Sequence, residues 1–361
     1  MSDKIKIPCI KIEQPIGIFY IGVIGFENLR SISYSDIRQL DRELDNYLGI
    51  QRKISPKRVD ELQRYVNNVD ATFPTSVILS ISSEDATYDP KSGCLIIENK
   101  EEVAKIIDGQ HRIKGLELFK GEKFDINVTI FIDMDIEDQA MVFATINLAQ
   151  TKVNKSLVYD LYEYSKNRSP QKTAHNIARL LNLKEESPFY QRIKILGTAD
   201  LELKTTQIIT QATFVEAMIK YISGSVKQAL SDRDLLKRGQ SLPKLPNGDI
   251  FFREMFVNKD DAKIMSIIWN YFSAVSKRWP NSWNSIGVIG NILPRTNGFR
   301  ALMRNLPYVL NYLQKNGLKT SENDFLNYFK KIDIDDGDFT SDIYKPGSSG
   351  EKDLLENLRI K

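Results

Sequence analysis

Asp108-Gly109-Gln110-His111-Arg112 sets an acid, a conformationally free residue, an amide, an imidazole and a guanidinium side by side. Residues 103–107, mostly apolar, read as a strand, and 113–119 read as a helix. A glycine turn at such a junction presents backbone N–H groups at the positive end of a helix dipole, which favours a bound anion. Phosphate suits the side chains best. Gly109 permits a tight turn and close approach. Gln110 donates and accepts, His111 donates or exchanges a proton near neutral pH, and Arg112 offers a bidentate fork. Gly109, Gln110, His111 and Arg112 are therefore the candidate phosphate-binding set. Asp108, Gln110 and His111 are the candidate catalytic residues, with Asp108 positioning a water or a metal. The plainer reading of the same string is a helix cap, with Arg112 paired to a carboxylate.

A second constellation is Phe143-Ala144-Thr145-Ile146-Asn147-Leu148-Ala149-Gln150-Thr151-Lys152. Asn147 and Gln150 are three apart and share one face if a helix continues through them. With Lys152 they suit a base, a ribose or a partner's backbone; the alternative is a polar helix end that ties down a turn. Asp133 and Asp135, with Glu137 and Asp138, follow a strand and join Asp108 as weak Mg²⁺ candidates, against the ordinary preference of carboxylates for a helix start. His175, the second of two histidines, reads as a structural helix residue. Trp269, Trp279 and Trp283 read as packing groups. Gly298 with Arg295 and Arg300 would make a second basic helix start.

The elements that must carry these residues alternate in the first part of the chain. Strands are expected at 16–25, 75–81, 94–97 and 125–134. Helices are expected at 33–48, from Ser55-Pro56 onward, and at 137–147. Val59, Leu62, Tyr65, Val66 and Val69 would form one apolar face of the second helix. After Ser156 long amphipathic segments take over, at 157–165, 171–183, 213–221, 260–278 and 299–313, with no convincing strand. Residues 223–248 read as a polar, partly basic surface loop, with a partner-binding loop as the alternative. The expected division is 1–165, mixed α/β; 166–332, helical; and 333–361, an acidic, partly disordered tail. The fold class is thus α+β.

Bulk properties narrow the function classes. A chain of 361 residues with 42% apolar and 10% aromatic residues is an ordinary globular composition. A net charge of +3 neither identifies nor excludes nucleic acid. Cys9 and Cys94 are the only cysteines, so a disulfide framework and a cysteine-rich zinc site are out, and a reducing compartment is expected. No apolar stretch is long enough for a membrane span, and the N-terminus lacks a secretory core. P-loop, HExxH and nucleophile-elbow motifs are missing.

DGQHR followed by an apolar helix, then Phe143-x-x-Ile146-Asn147-x-x-Gln150, resembles the DGQHR-domain family, which includes the DndB-like DNA-sulfur-modification proteins. Gln51-Arg52, Phe73-Pro74 and Thr296-Asn297-Gly298 match in order, so the likeness runs from about Phe19 to Leu313. It implies an N-terminal ParB/sulfiredoxin-like fold in which the turn at 109–112 holds nucleotide phosphates; the related DGQQR arrangement of some modification-dependent nucleases implies that Asp108 and Asn147 face one cleft. Gln110 stands where sulfiredoxins carry cysteine, which removes that chemistry, and the doubled arginine of chromosome-partition proteins is missing. The implied function is a nucleotide-binding regulatory or accessory protein of a bacterial DNA-modification or phage-defence system. ATP is the expected nucleotide, with Mg²⁺ as its companion, and any turnover would be slow NTP hydrolysis. DNA and proteins of the same system are the expected partners, a homo-oligomer is left open, and the expected location is the cytoplasm. The alternatives are a non-catalytic DNA-binding regulator that grips DNA phosphate through the same turn, and a nuclease resembling DGQQR-motif enzymes.

Overall fold

The computed structural model describes residues 4–36, 39–41, 46–48, 55–150, 155–198, 206–245 and 250–360, with backbone alone at 39–41, 46–48, 144 and 147–150. The chain divides into two compact units, Met1–Lys152 and Val153–Lys361. The division therefore falls at Lys152, earlier than the expected 165.

The first unit is built on a mixed eight-stranded sheet. Its strands are β1 (Lys4–Gln14), β2 (Gly17–Gly25), β3 (Ser33–Tyr34), β6 (Val77–Ile81), β7 (Ala86–Asp89), β8 (Cys94–Glu98), β9 (Ala104–Asp108) and β10 (Asp125–Ile132), in the order β3-β9-β6-β10-β2-β1-β8-β7. A separate short pair is formed by β4 (Gln39–Asp41) and β5 (Asn46–Leu48). In β1, Ile5 and Ile7 are buried while Lys4 and Lys6 face solvent, the alternation a half-buried strand requires. β6 lies parallel to β10 and antiparallel to β9, with a register shift between Ile78 and Leu79 beside Asp108. Val77, Leu79, Ile106, Val128 and Ile130 form the middle of the core.

Four helices accompany this sheet: α1 (Phe26–Ile32), α2 (Pro56–Tyr65), α3 (Gln110–Leu116) and α4 (Ile136–Gln150). The described residues of the expected helix 33–48 are not helical: 33–34, 39–41 and 46–48 are strand. The apolar stripe Phe26, Leu29, Ile32 places the helix earlier, and Ser33 turns to extended backbone (φ −99°, ψ 145°) to pair with Ala104. α2 starts at Ser55-Pro56 as expected and buries Val59. Val66 follows the helix and is buried, whereas Val69 lies in the turn beyond and is fully exposed. α2 crosses close to α3 because Gly115 has no side chain: a Cβ there would stand 2.7 Å from Leu62 Cβ.

The second unit is helical: α5 (Lys155–Asp160), α6 (Pro170–Leu183), α7 (Gln211–Ser223), α8 (Val226–Lys237), α9 (Arg253–Val257), α10 (Asp261–Arg278), α11 (Pro280–Asn284), α12 (Thr296–Lys315), α13 (Glu322–Phe329) and α14 (Ser348–Asn357). A 3-10 turn follows α5 at Leu161–Tyr164. Phe189 sits edge-on to Phe214, Phe272, Trp283 and Phe299, which makes the aromatic centre of the unit.

Three readings of this half are corrected. A two-residue strand pair, β11 (Ile193–Lys194) with β12 (Ile209–Thr210), runs parallel where no strand was expected. The stretch 223–248 carries α8, because Asp232 is fully buried and receives Ser223 Oγ at 2.6 Å, Gln228 Nε2 at 3.0 Å and the Arg253 guanidinium. Residues 333–360 pack as part of the unit: Ile334, Phe339, Tyr344, Leu354 and Leu358 are buried. The acidic character of that segment has a structural use, since Asp336 accepts from the N–H groups of Asn281 and Ser282 at the start of α11, both at 2.8 Å. Trp279 and Trp283 are buried as expected, while Trp269 is only half-buried.

Candidate functional site

β9 delivers Asp108 to its last position, and Gly109 then turns the chain into α3 with φ +109°. That conformation favours glycine, and the space is also closed: a Cβ at 109 would lie 2.8 Å from Val77 Cγ2 and 3.2 Å from an Arg112 amino nitrogen. The glycine thus serves tight packing of the fold's own side chains.

Arg112 is committed to the same job. It donates to Asp108 Oδ2 at 2.8 Å, to Thr75 Oγ1 at 2.9 Å, to Ser76 O at 3.0 Å and to Thr75 O. The fork ties the start of β6 to the end of β9 across the register shift. Burial pulls the guanidinium below its usual range, against the upward pull of Asp108, and the charge of Arg58 adds to the lowering. The sequence left open whether Arg112 meets a ligand or a carboxylate; here its carboxylate is Asp108, four residues back.

His111 reaches the other helix. Its Nε2 accepts the backbone N–H of Ser55 at 3.0 Å, at the N-cap of α2. Gln110 and His111 are both buried, 6% and 8% exposed. The result is a junction where α2 and α3 both begin. Two sets of helix-start dipoles meet there beside Arg112 and Arg58. Arg58 is exposed and makes no ion pair among the described residues. Sequence reasoning did not single it out; its position in the first turn after Ser55-Pro56 was the available signal.

The remaining site residues divide as follows. Asn147 and Gln150 lie three apart in the last turns of α4, of which only the backbone is described, and Lys152 lies outside the described residues. Asp133 Oδ1 accepts from Ser83 N at 2.8 Å, and bonds from Ser83 hold its carboxyl below the usual range. Asp135 Oδ1 accepts from Asp138 N at 2.9 Å at the start of α4. The acidic turn therefore serves local backbone N–H groups. Among the described residues, the set of ligand-type side chains that gathers within 4.8 Å is Asp160, Glu163 and His175, in the second unit. Asp160 and His175 are buried; His175 Nδ1 contacts Gln211 Nε2 at 3.0 Å, and Glu163 meets Arg179. The 160/163 spacing of two acids, one turn apart, was the readable signal.

A sheet unit with a braced glycine turn, followed by a helical unit, matches the α+β class expected from the sequence. Comparison with family models gives the particular assignment: the chain belongs to the DndB family, described as DNA-sulfur modification-associated, which it matches over residues 7–235. It is therefore a protein associated with a DNA-modification system. Neither curated proteins nor solved structures gave a match to it. No helix among the described residues is long and apolar enough to cross a membrane.

Proposed function

We propose that this chain is a regulatory or accessory component of a DNA-modification system that binds a phosphate-bearing ligand, a nucleotide first of all, where α2 and α3 begin. The observation that carries the reading is the 3.0 Å bond between Ser55 N and His111 Nε2, which brings the two helix starts together. Backbone N–H groups and helix dipoles at such starts favour phosphate without needing a side chain for each oxygen. Arg58, which makes no ion pair among the described residues, is placed to meet it, and Arg112 adds charge from behind while holding the turn in shape. The resemblance to ParB/sulfiredoxin-type folds, whose corresponding turn holds nucleotide phosphates, supports the same assignment.

In this reading the site binds rather than turns over rapidly. Asp108 is engaged by Arg112 and His111 by Ser55, so neither stands ready as a general base. Any hydrolysis would rest on positioning and charge, with Mg²⁺ arriving on the nucleotide.

A second reading has its own support. Lys57 and Arg58 are exposed in the first turn of α2, where they suit a DNA backbone. Calorimetric titration of the full chain with ATP, GTP, CTP and a short duplex separates the two. Nucleotide binding weakened about tenfold by Arg58→Gln supports the first. Duplex binding that falls steeply with salt, with no nucleotide effect, supports the second. Absence of all four interactions rejects both.

A further inference from the structure

We infer that the helical unit holds a second phosphate-binding site, in the cavity between the β11–β12 pair and the start of α12. The cavity measures about 680 Å³ and is lined by Lys194, Gln207, Ile208, Arg295, Thr296 and Asn297 among others. That volume lies in the range of small-molecule sites, roughly 300–1,000 Å³, and admits a mononucleotide or a stretch of phosphodiester backbone.

Charge decides the ligand class. Lys194 and Arg295 contribute two cations, and the lining among the described residues includes no carboxylate. Neither cation makes an ion pair among the described residues. Arg192, two residues before Lys194, is a further cation of the same unit, though it does not line the cavity. It is half-buried and, among the described residues, donates to neutral oxygens, Trp283 O and Asn284 Oδ1, both at 2.9 Å. Burial pulls it down to about 10, so it remains charged at neutral pH, and it makes no ion pair among the described residues. A cavity with this surplus attracts an anion and repels a metal ion.

The backbone agrees with the side chains. α12 is a 20-residue helix with no side-chain cap at its start, and Thr296 and Asn297 of its first turn line the cavity. Gly298 fixes the position of that start, since a Cβ there would stand 2.3 Å from Leu293 O. On the rim, the loop between Gly287 and Gly290 exposes Val288 and Ile289, the latter 97% exposed.

The shared chemistry is phosphate, carried by a free nucleotide or by DNA. The test uses the full chain and two probes, ATP and a short duplex DNA, with calorimetry of wild type, the double variant Lys194→Gln/Arg295→Gln, and Arg300→Gln. Lys194 and Arg295 are not buried, so the double variant is expected to fold, checked by circular dichroism. Arg300 shares the helix start but does not line the cavity, and so controls for general attraction. The inference expects the double variant to lose about tenfold or more in affinity for at least one probe, with Arg300→Gln within about twofold of wild type. Loss confined to ATP identifies the free nucleotide, and loss confined to the duplex identifies the backbone. Wild-type affinity in the double variant, an equal loss in Arg300→Gln, or no binding by wild type overturns it. Arg58→Gln probes the first unit alone, so the two sites fail or stand separately.

Discussion

The backbone N–H of Ser55 points at Nε2 of His111, 3.0 Å away, although 56 residues separate them in sequence. This bond makes the DGQHR string a structural hinge-pin as well as a candidate site. The imidazole stands at the N-cap of α2, and the next residue, Arg112, fastens α3 to the sheet.

His111→Phe keeps the ring's bulk but removes the acceptor. The Ser55 N–H is then left without it, at a cost of about 1–3 kcal/mol. Urea unfolding reads the loss, and hydrogen exchange should locate faster opening at the start of α2.

Arg112→Ala strips four hydrogen bonds and leaves Asp108 facing the carbonyls of β6's approach. A destabilisation of about 2–4 kcal/mol is expected from an unpaired, half-buried carboxylate and the loss of a donor to Thr75 O, Thr75 Oγ1 and Ser76 O. Arg112→Lys should recover only part of it, because an ammonium cannot reproduce the fork. Full stability in the alanine variant would mean the guanidinium braces nothing.

Gly109→Ala and Gly93→Ala form a matched pair. Both glycines have positive φ, +109° and +65°, but a Cβ at 93 meets open space whereas one at 109 meets Val77 and Arg112. The expected costs are about 1 kcal/mol at 93 and 2 kcal/mol or more at 109. Equal midpoints in denaturant would refute the packing role.

Asp133 has a lowered folded-state pKa because of the hydrogen bonds from Ser83. A depressed carboxyl stabilises above its unfolded value and loses that contribution as pH falls through the folded one. Thermal melts of wild type should therefore fall off below the ordinary value of 3.8 more steeply than those of Asp133→Asn.

Much of the first unit was readable because its elements announce themselves locally. The β2 segment, the Ser55-Pro56 start of α2 and the β9–Gly109–α3 turn each carry their own signal. The helix expected to start at 33 does not start there for a non-local reason: Ser33 and Tyr34 are claimed by β9, some 70 residues later. Burial of Asp232 by Arg253 likewise depends on a distant partner and turned an apparent loop into α8. At the site, residue types indicated an anion. They left undecided whether Arg112 would serve the ligand or the fold, since Asp108 is near it in either case.

Hydrogen exchange on the full chain, with and without saturating ATP, tests the central proposal most directly. The account predicts slower exchange at the starts of both α2 and α3, around 55–60 and 110–114, with or without a separate change near 296. Saturation with no protection at either helix start, or no binding of ATP or duplex at all, would contradict it.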